Sequence, residues 1–307
     1  MHFVKKKNFL YKNDDNLGSN GAFYFVKCYY SWKNGLYKNE YYCIIVAIMK
    51  VAVYSKSIFK NHPTKDMLTT GLKNLGHCVV EIDDFDCLKD FDRLLVFGGD
   101  GTMLHSACNS DCPIVGVNLG NVGFLTQFES SVTVAELSRA IENDKFDCKP
   151  LLKSIVNGTC QVALNDFVIK TTSSRPISLS VKVDGEYVDK YHADGLIVAS
   201  PIGSTAYSLS AGGPIVSPDV DAIIINPICA HSLHSRPLII SGNSIVEVTI
   251  EGDNLMVIAD GREQINLDNA STIQVSKSSK QARFVQNGNN TFYNKLLEKM
   301  NKWGTTI

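Results

Sequence analysis

The sequence predicts an α/β unit built on a parallel sheet, followed by a largely β unit, and two patterns carry that reading. Between residues 50 and about 148, short apolar runs alternate with helical patterns, the βαβ signature of a parallel sheet covered by helices. From about residue 151 the apolar runs follow one another with turn residues between them, as antiparallel sheets require. The length of 307 residues agrees, since about 150 residues per domain gives two domains.

The α/β unit is assigned to residues 49–148. It opens with a buried strand, Lys50–Tyr54, and a helix over 64–75 in which Met67, Leu68, Gly71, Leu72 and Leu75 share one face. Strands follow at Val79–Ile82, Arg93–Phe97 and Ile114–Val117, with a helix after Gly101 between the last two. A helix from Val134 to about Glu142 is started by Thr133 and Glu136, which have capping-box spacing. The all-β unit, 149–285, holds an alternating run Ile177–Val183, a turn at Asp184-Gly185 and a resumption at Tyr187. A second hairpin is expected from Ile245 to Ile258, turning around Gly252-Asp253-Asn254. The tail returns to helix over about 290–303, with Phe292, Leu296, Met300 and Trp303 on one face, and is expected to pack back on the α/β unit.

Residues 1–48 stand apart, rich in Tyr, Lys and Asn with aromatics at no sustained period, as in Cys28-Tyr29-Tyr30-Ser31-Trp32. Two accounts fit the break near Met49: a start assigned too early or a disordered extension, or an extra strand docked on the α/β unit, since Tyr42–Val46 has high β propensity. Neither carries chemistry. Lys5–Lys7 imitates the basic start of a signal peptide, but Asn8–Asn20 lacks the apolar region that such a signal needs.

Composition excludes more than it identifies. A net charge of −1, with 44% hydrophobic and 20% charged residues, fits a soluble globular chain and argues against a coat for nucleic acid or an anionic membrane. No apolar run reaches the roughly 18 residues of a membrane helix; the nearest, Tyr41–Met49, stops at Lys50. The nine cysteines are scattered, with Cys108 and Cys112 the only close pair, so a reduced cytoplasmic chain with buried thiols is expected.

Three segments carry chemistry. Phe97-Gly98-Gly99-Asp100-Gly101-Thr102 follows the strand Leu94-Leu95-Val96. Glycines there let backbone N–H groups approach a ligand, and the helix that follows would present its N-terminus to phosphate oxygens. Asp100 could take a proton from a substrate hydroxyl, hold a metal bound to phosphates, or simply cap the helix. Gly116 through Gly120 and Gly123 to Phe124 and Leu125 forms a second glycine-rich loop, able to wall a nucleotide site with Phe124 against a base. The longest segment, Asp194 to Pro214, runs a strand into a cluster of small hydroxyl residues suited to ribose and amide groups, with Tyr207 as a stacking face. His231 and His234 lie three apart but lack a third partner for zinc.

Gly98 to Thr102, Asn165-Asp166 after Val162-Ala163-Leu164, the Asp194–Pro214 block, and Asn226-Pro227 through His231 to Arg236-Pro237 together resemble the NAD kinase family, in order, over about residues 50–285. The glycine-aspartate motif alone is shared with lipid kinases and phosphofructokinases; the Asp194–Pro214 block is far more specific. The resemblance implies a Rossmann-like N-terminal domain, a β-sandwich-like C-terminal domain and an active site between them. It implies transfer of a γ-phosphoryl group from ATP, or from inorganic polyphosphate, to the adenosine 2′-hydroxyl of NAD, with Mg²⁺ or a similar ion on the donor phosphates. Asp100 is then the base that takes the hydroxyl proton, and Gly98, Gly99, Gly101 and Thr102 hold the donor. Asn165 and Asp166 would hold the adenosine ribose and base. Asp194, Thr205, Ala206, Tyr207 and Ser210 would line the rest of the dinucleotide site. Asp100, Gly101, His105, Phe124, Arg175, His192, Ser208, Leu209 and Arg262 complete the expected NAD contacts. Homo-dimers or homo-tetramers are expected, without nucleic-acid or membrane partners.

The sequence departs from the family at Asp166, where Glu is common, at Ile202, where a hydroxyl residue is usual, at His192, where Arg is frequent, and at Arg262, where Gln is common. His192 exchanges a permanent charge for a group that titrates near pH ~6.5, and Arg262 could salt-bridge a pyrophosphate. His105 faces the crevice if its helix is regular. Each of these residues could equally be a plain surface or packing residue. Among rival classes, a lipid kinase should lack the Asp194–Pro214 block, a phosphofructokinase should add several Arg between 98 and 215, and a non-catalytic dinucleotide sensor should lack the base.

Removing residues 1–48, so that Met49 starts the chain, is expected to leave activity and Tm unchanged. An insoluble product, or loss of the cooperative thermal transition, would make the extension a structural part of the first domain.

Overall fold

The computed structural model describes residues 6–11, 23–29, 32–33, 36–37, 42–120, 123–232, 234–287 and 292–304, and side chains between Ile48 and Asn301. Lys5, residues 12–20, Tyr30, Ser31, Tyr41, Asn121, Val122, residues 290–291 and the side chain of Trp303 lie outside the described residues. Strands β1 (Lys6–Tyr11), β2 (Phe23–Tyr29) and β5 (Tyr42–Ile48) form an antiparallel sheet in the order β1-β2-β5, and the short β3 (Trp32–Lys33) and β4 (Leu36–Tyr37) pair with each other. The strand expected near Tyr42–Val46 therefore pairs with β2, apart from the sheet of the α/β unit.

The α/β unit follows as β6 (Lys50–Ser55), α1 (Pro63–Leu75), β7 (Cys78–Glu81), β8 (Arg93–Phe97), α2 (Asp100–Asn109), β9 (Ile114–Val117) and α3 (Val134–Ile141). Its strands run parallel in the order β7-β6-β8-β9, each pair separated in sequence by a crossover; β8 and β9 are buried on both faces, while β7 is the largely exposed edge. Pro63 stands at the start of α1, and Gly76 ends it in the left-handed conformation. The capping box at α3 forms as expected, Thr133 and Glu136 each satisfying the other's backbone N–H. Leu68, Leu72, Leu137 and Ile141 cover one face of the sheet against Val51, Val53, Leu95 and Phe97. Met67 is 55% exposed, so the apolar face of α1 is narrower than its spacing suggests.

The β unit comprises β10 (Phe146–Val156), β11 (Thr159–Ala163), β12 (Asp166–Thr171), β13 (Ile177–Val183), β14 (Glu186–Ala193), β15 (Gly195–Ala199), the one-turn α4 (Tyr207–Ser210), β16 (Ala222–Ile228), β17 (Leu238–Ser241), β18 (Val246–Glu251), β19 (Leu255–Ala259), β20 (Glu263–Leu267) and β21 (Thr272–Val285). A six-stranded sheet, β17-β16-β15-β12-β19-β20, shares one apolar core with β13, β18, β10 and β21. β10 begins at Phe146 and so crosses the expected boundary at 148. The end of β21 pairs Phe284 with Ile114 of β9, joining β6–β9 to β10, β11, β13, β14, β18 and β21 of the β unit in a single ten-stranded sheet. The closing helix, α5 (Phe292–Gly304), packs Phe292 near Phe124; Met300, expected inward, is half-exposed.

Two expectations need correction. Ile245 to Ile258 is not a hairpin: β18 pairs with β13 and β21, whereas β19 pairs with β12 and β20 in the other sheet. Val246, Val248 and Ile250 meet Leu255, Val257 and Ala259 across the core, so the turn at 252–254 carries the chain between layers. A hairpin and an inter-sheet corner show the same alternation in sequence. The thiols are also less buried than expected. Cys108 and Cys112 are buried, but Cys78, Cys87, Cys148, Cys160 and Cys229 are exposed, and all seven are free. Among the described residues no helix is long and apolar enough to cross a membrane.

A buried polar chain ties α3 to the sheet. Met49 N–H donates to His77 Nδ1, so His77 Nε2 carries the proton and meets Ser138 Oγ at 2.9 Å; that hydroxyl donates to Glu142. Burial pushes the imidazole pKa down, with Glu142 partly opposing. Below the unfolded value of 6.5 the unfolded chain therefore binds a proton that the folded chain resists, and stability falls as pH drops. Thermal melts should show Tm declining more steeply from pH 7 to 5 in the parent than in His77→Gln. Parallel slopes would mean that His77 does not set the acid limb.

Candidate active site

The glycine turn after β8 is shaped by its own residues. Gly98 has φ of +155°, and a Cβ there would lie 2.5 Å from Thr102 Oγ1, so only glycine allows the strand to end where it does. Gly99 caps α2 and Asp100 is its first residue, a favourable place for negative charge at the positive end of the helix. The Asp100 carboxylate reaches across to the second glycine loop: Phe124 N–H donates to Oδ2 at 2.9 Å and Leu125 N–H to Oδ1 at 3.0 Å. Gly123 makes room for it, because a Cβ at that position would strike Oδ1. The third neighbour is a cation, Lys299 Nζ, 3.5 Å from Oδ2. Asp100 thus does not cap α2; its carboxylate is held by the second glycine loop and stays about one-third exposed.

Opposite lies the Asn165-Asp166 corner, which one residue organises. Asp260, in the left-handed conformation at the turn between β19 and β20, has a side chain with no exposure. Its Oδ1 accepts N–H bonds from Asn165 and Asp166 at 2.7 and 3.2 Å, and its Oδ2 accepts from Leu164 N–H at 2.9 Å and from Cys108 Sγ at 3.3 Å. Burial, and then the charge and hydrogen bonding of Asp260, push the Cys108 thiol up to about 12, so it remains a donor. Asp166 is 4% exposed, and burial, reinforced by Asp260, pushes its carboxyl up to about 7.

The long hydroxyl block wraps this corner. Ser200 N–H and Oγ donate to the carbonyls of Asn165 and Leu164. Ser204 Oγ donates to Val216 O and accepts Val216 N–H, and Ser208 Oγ accepts from Asn226 Nδ2. Ser200, Ser204 and Ser208 are buried, so these three hydroxyls brace the loop itself. Tyr207 is 44% exposed, and Thr205, beside the buried Ile202, helps line a cavity of about 560 Å³ that also meets Phe124, Leu125 and Phe292.

Two sequence-predicted residues are engaged differently from expectation. Arg262 donates from Nη1 to His105 Nδ1 at 2.7 Å and lies 3.7 Å from Asp260, so it clasps α2 to the β19–β20 turn and does not stand free for a pyrophosphate. The bond requires a neutral imidazole; burial and then Arg262 keep the His105 pKa low, with Glu263 opposing and Lys56 adding to Arg262. Others are not brought together with Asp166. Gly195 pairs with Lys170 and Ala199 with Asp166, so Asp194, His192 and Arg175 belong to the far end of β15, a strand's length away at about 3.3 Å per residue. There the exposed His192 ring stands edge-on to His231. Sequence reasoning missed Asp260, Lys56 beside Gly101, and Lys295 and Lys299. Only Asp260 left a signal, the Asp-Gly turn dipeptide preceding Arg262.

Both halves of this arrangement match known domains. The ATP-NAD kinase N-terminal domain matches residues 43–146, and the ATP-NAD kinase C-terminal domain matches residues 164–287. An NAD kinase of Moorella thermoacetica is 40% identical over 226 residues, covering 70% of this chain and 72% of the relative. One of Desulforamulus reducens is 41% identical over 224 residues, covering 69% and 78%. Among solved structures, the NAD kinase of Archaeoglobus fulgidus in complex with ATP is similar with a TM-score of 0.72 at 30% identity, covering 82% of this chain and 99% of its own. The yeast NADH kinase complexed with NADH gives a TM-score of 0.73 at 25% identity, covering 85% and 91%. Nothing here supports the lipid-kinase reading of the glycine turn. With both domains matched in order, and a relative 40% identical across more than two thirds of its own length, the chain belongs to the NAD kinase family.

Proposed function

We propose that this crevice transfers the γ-phosphoryl group of ATP to the adenosine 2′-hydroxyl of NAD, giving NADP and ADP. The observation that carries the reading is the Asp100 carboxylate, set on a glycine turn at a parallel strand end and fixed by two backbone N–H groups while about one-third exposed. A hydroxyl is a poor nucleophile at neutral pH, and a carboxylate within hydrogen-bond reach takes its proton. In the balanced step, a lone pair of the 2′-oxygen forms the bond to the γ-phosphorus. The bond from that phosphorus to the β,γ-bridging oxygen breaks, its electron pair leaves on ADP, and the hydroxyl proton passes to Asp100. The turn at Gly98–Thr102 and the N-terminus of α2 face the donor phosphates, with Lys56 beside Gly101 adding charge. ATP as the phosphoryl donor is supported by the ATP complex of the Archaeoglobus enzyme.

Magnesium or a similar ion neutralises the donor phosphates when bound. Among the described residues no three His, Cys, Asp or Glu converge to hold a metal. The residues therefore do not fit a resident ion, and we assign the metal to the ATP complex as substrate. Arg175, His192 and Asp194 lie too far along β15 to share a hydrogen-bonded group with Asp166. Assembly as a homo-dimer or homo-tetramer, which the family resemblance implies, would let them serve a neighbouring copy.

Asp100→Asn is expected to keep the fold and NAD binding while turnover falls by on the order of 10²–10⁴-fold, the range for loss of a general base. Near-parental turnover at saturating substrates would remove Asp100 from that role.

Tyr207→Ala and Asp166→Ala should each raise the NAD dissociation constant about ten-fold or more in calorimetric titrations, because a charge-assisted bond is worth roughly 1.5–3 kcal/mol and a stacking face about 1 kcal/mol. Asp166 accepts donors fully only as carboxylate, so NAD affinity should fall as pH drops through about 7, and Asp166→Asn should abolish that dependence. Unchanged binding in both alanine variants would place the adenosine site elsewhere.

A further inference from the structure

The C-terminal helix α5 delivers two lysines, one turn apart on the same face, to the loop that holds Asp100. Lys295 Nζ is part-buried and donates to the carbonyls of Phe124 at 2.8 Å and Thr126 at 2.6 Å. Lys299 Nζ sits over the Phe124 ring, 3.9 Å from its centroid, and 3.5 Å from Asp100 Oδ2. Phe124 and Leu125 are the residues whose N–H groups hold the Asp100 carboxylate, so helix, loop and carboxylate form one assembly. Its two lysines divide the work. The N–H groups of Lys295 are directed to carbonyls that anchor the helix, whereas the ammonium of Lys299, one-fifth exposed, stands at Oδ2 of the carboxylate read as the base. Arg262 is bound to His105 and the Leu104 carbonyl, beside Asp260.

We propose that Lys299 is a catalytic residue of the phosphoryl transfer. The assignment rests on Asp100 being the base. With the ammonium 3.5 Å from Oδ2, a 2′-hydroxyl bonded to this carboxylate stands beside it, and so does the phosphoryl group bonding to that hydroxyl. Negative charge on that group and its neighbours must be balanced during transfer, and a fixed cation in a part-buried site supplies this without reorganisation. Lys299 keeps its proton throughout; the hydroxyl proton goes to Asp100, and the electron pair of the breaking P–O bond leaves on the diphosphate. A cation–π contact with Phe124 holds the ammonium in place when the substrate displaces water from the carboxylate. A purely structural role fits less well, because a part-exposed ion pair adds little stability and Lys295 and Phe292 already anchor α5.

The test compares Lys299→Met, Lys299→Arg and Asp100→Asn in the full chain, with NADP formation measured from NAD and Mg-ATP, alongside thermal melts. Methionine keeps the length and helix propensity and removes only the charge. Lys299→Met is expected to lower kcat by on the order of 10²–10³-fold, as loss of a transition-state donor does. KM for both substrates should change far less, Tm should hold, and Lys299→Arg should recover most of kcat. A kcat for Lys299→Met within about threefold of the parent, while Asp100→Asn is inactive, overturns the role of Lys299 and leaves the base standing. Equal losses in the Met and Arg variants with a lowered Tm overturn it in favour of simple helix anchoring. Normal turnover in Asp100→Asn overturns the reading of the base on which the proposal rests.

Discussion

The buried carboxylate of Asp260 is the interaction on which the rest of the site depends. It accepts the N–H groups of three consecutive residues, Leu164, Asn165 and Asp166, and the thiol of Cys108 on α2. A charge without exposure is tolerated only where hydrogen bonds replace its lost water, so those donors must converge for the fold to close around it. The consequence is geometric: the corner between β11 and β12 is locked to α2, the helix that carries Asp100. One turn from the β unit thereby sets the spacing between the two halves of the crevice.

That lock has an electrostatic cost, which falls on Asp166. Its carboxyl, buried beside Asp260, sits near 7, so at neutral pH it is poised between donor and acceptor. Arg262 lies on the same turn and offsets part of the negative charge, but its nearest partner is the imidazole of His105. The clasp therefore binds α2 at two points, Cys108 to Asp260 and His105 to Arg262, on neighbouring turns of one helix. Rigid placement of α2 matters for chemistry, because the base is the first residue of that helix and a general base must stand within hydrogen-bond reach of its proton.

On the opposite side, the glycine loop before Leu125 is held from two directions. Its N–H groups point inward to Asp100 and its carbonyls outward to Lys295. The ten-stranded sheet makes this possible. Because β21 runs from the sandwich to the edge of β9, the chain leaves it beside the second glycine loop, and α5 lands where its lysines reach that loop. A domain boundary that cut the sheet in two would leave no reason for the C-terminal helix to be there.

Much of this was legible in the sequence, and the limits follow from range. The alternation of β6 to β9 with α1 to α3, the Thr133–Glu136 box, the Asp184-Gly185 turn and the glycine turn before α2 all depend on neighbours a few residues apart, so local propensity determined them. The order of the Asp100, Asn165-Asp166 and Asp194–Pro214 segments likewise identified the family. Contacts between distant residues were decided by the tertiary structure. Asp260 meets Leu164 across 96 residues and Lys299 meets Asp100 across 199, and neither pairing has a local pattern. The same holds for the turn at 252–254, which crosses between sheets, and for Ser204 and Ser208, whose hydroxyls brace the loop. In each case the residue type was visible, but its partner was fixed only when sheet topology brought separate loops together, and a polar group acquires its role from the partner that satisfies it on burial.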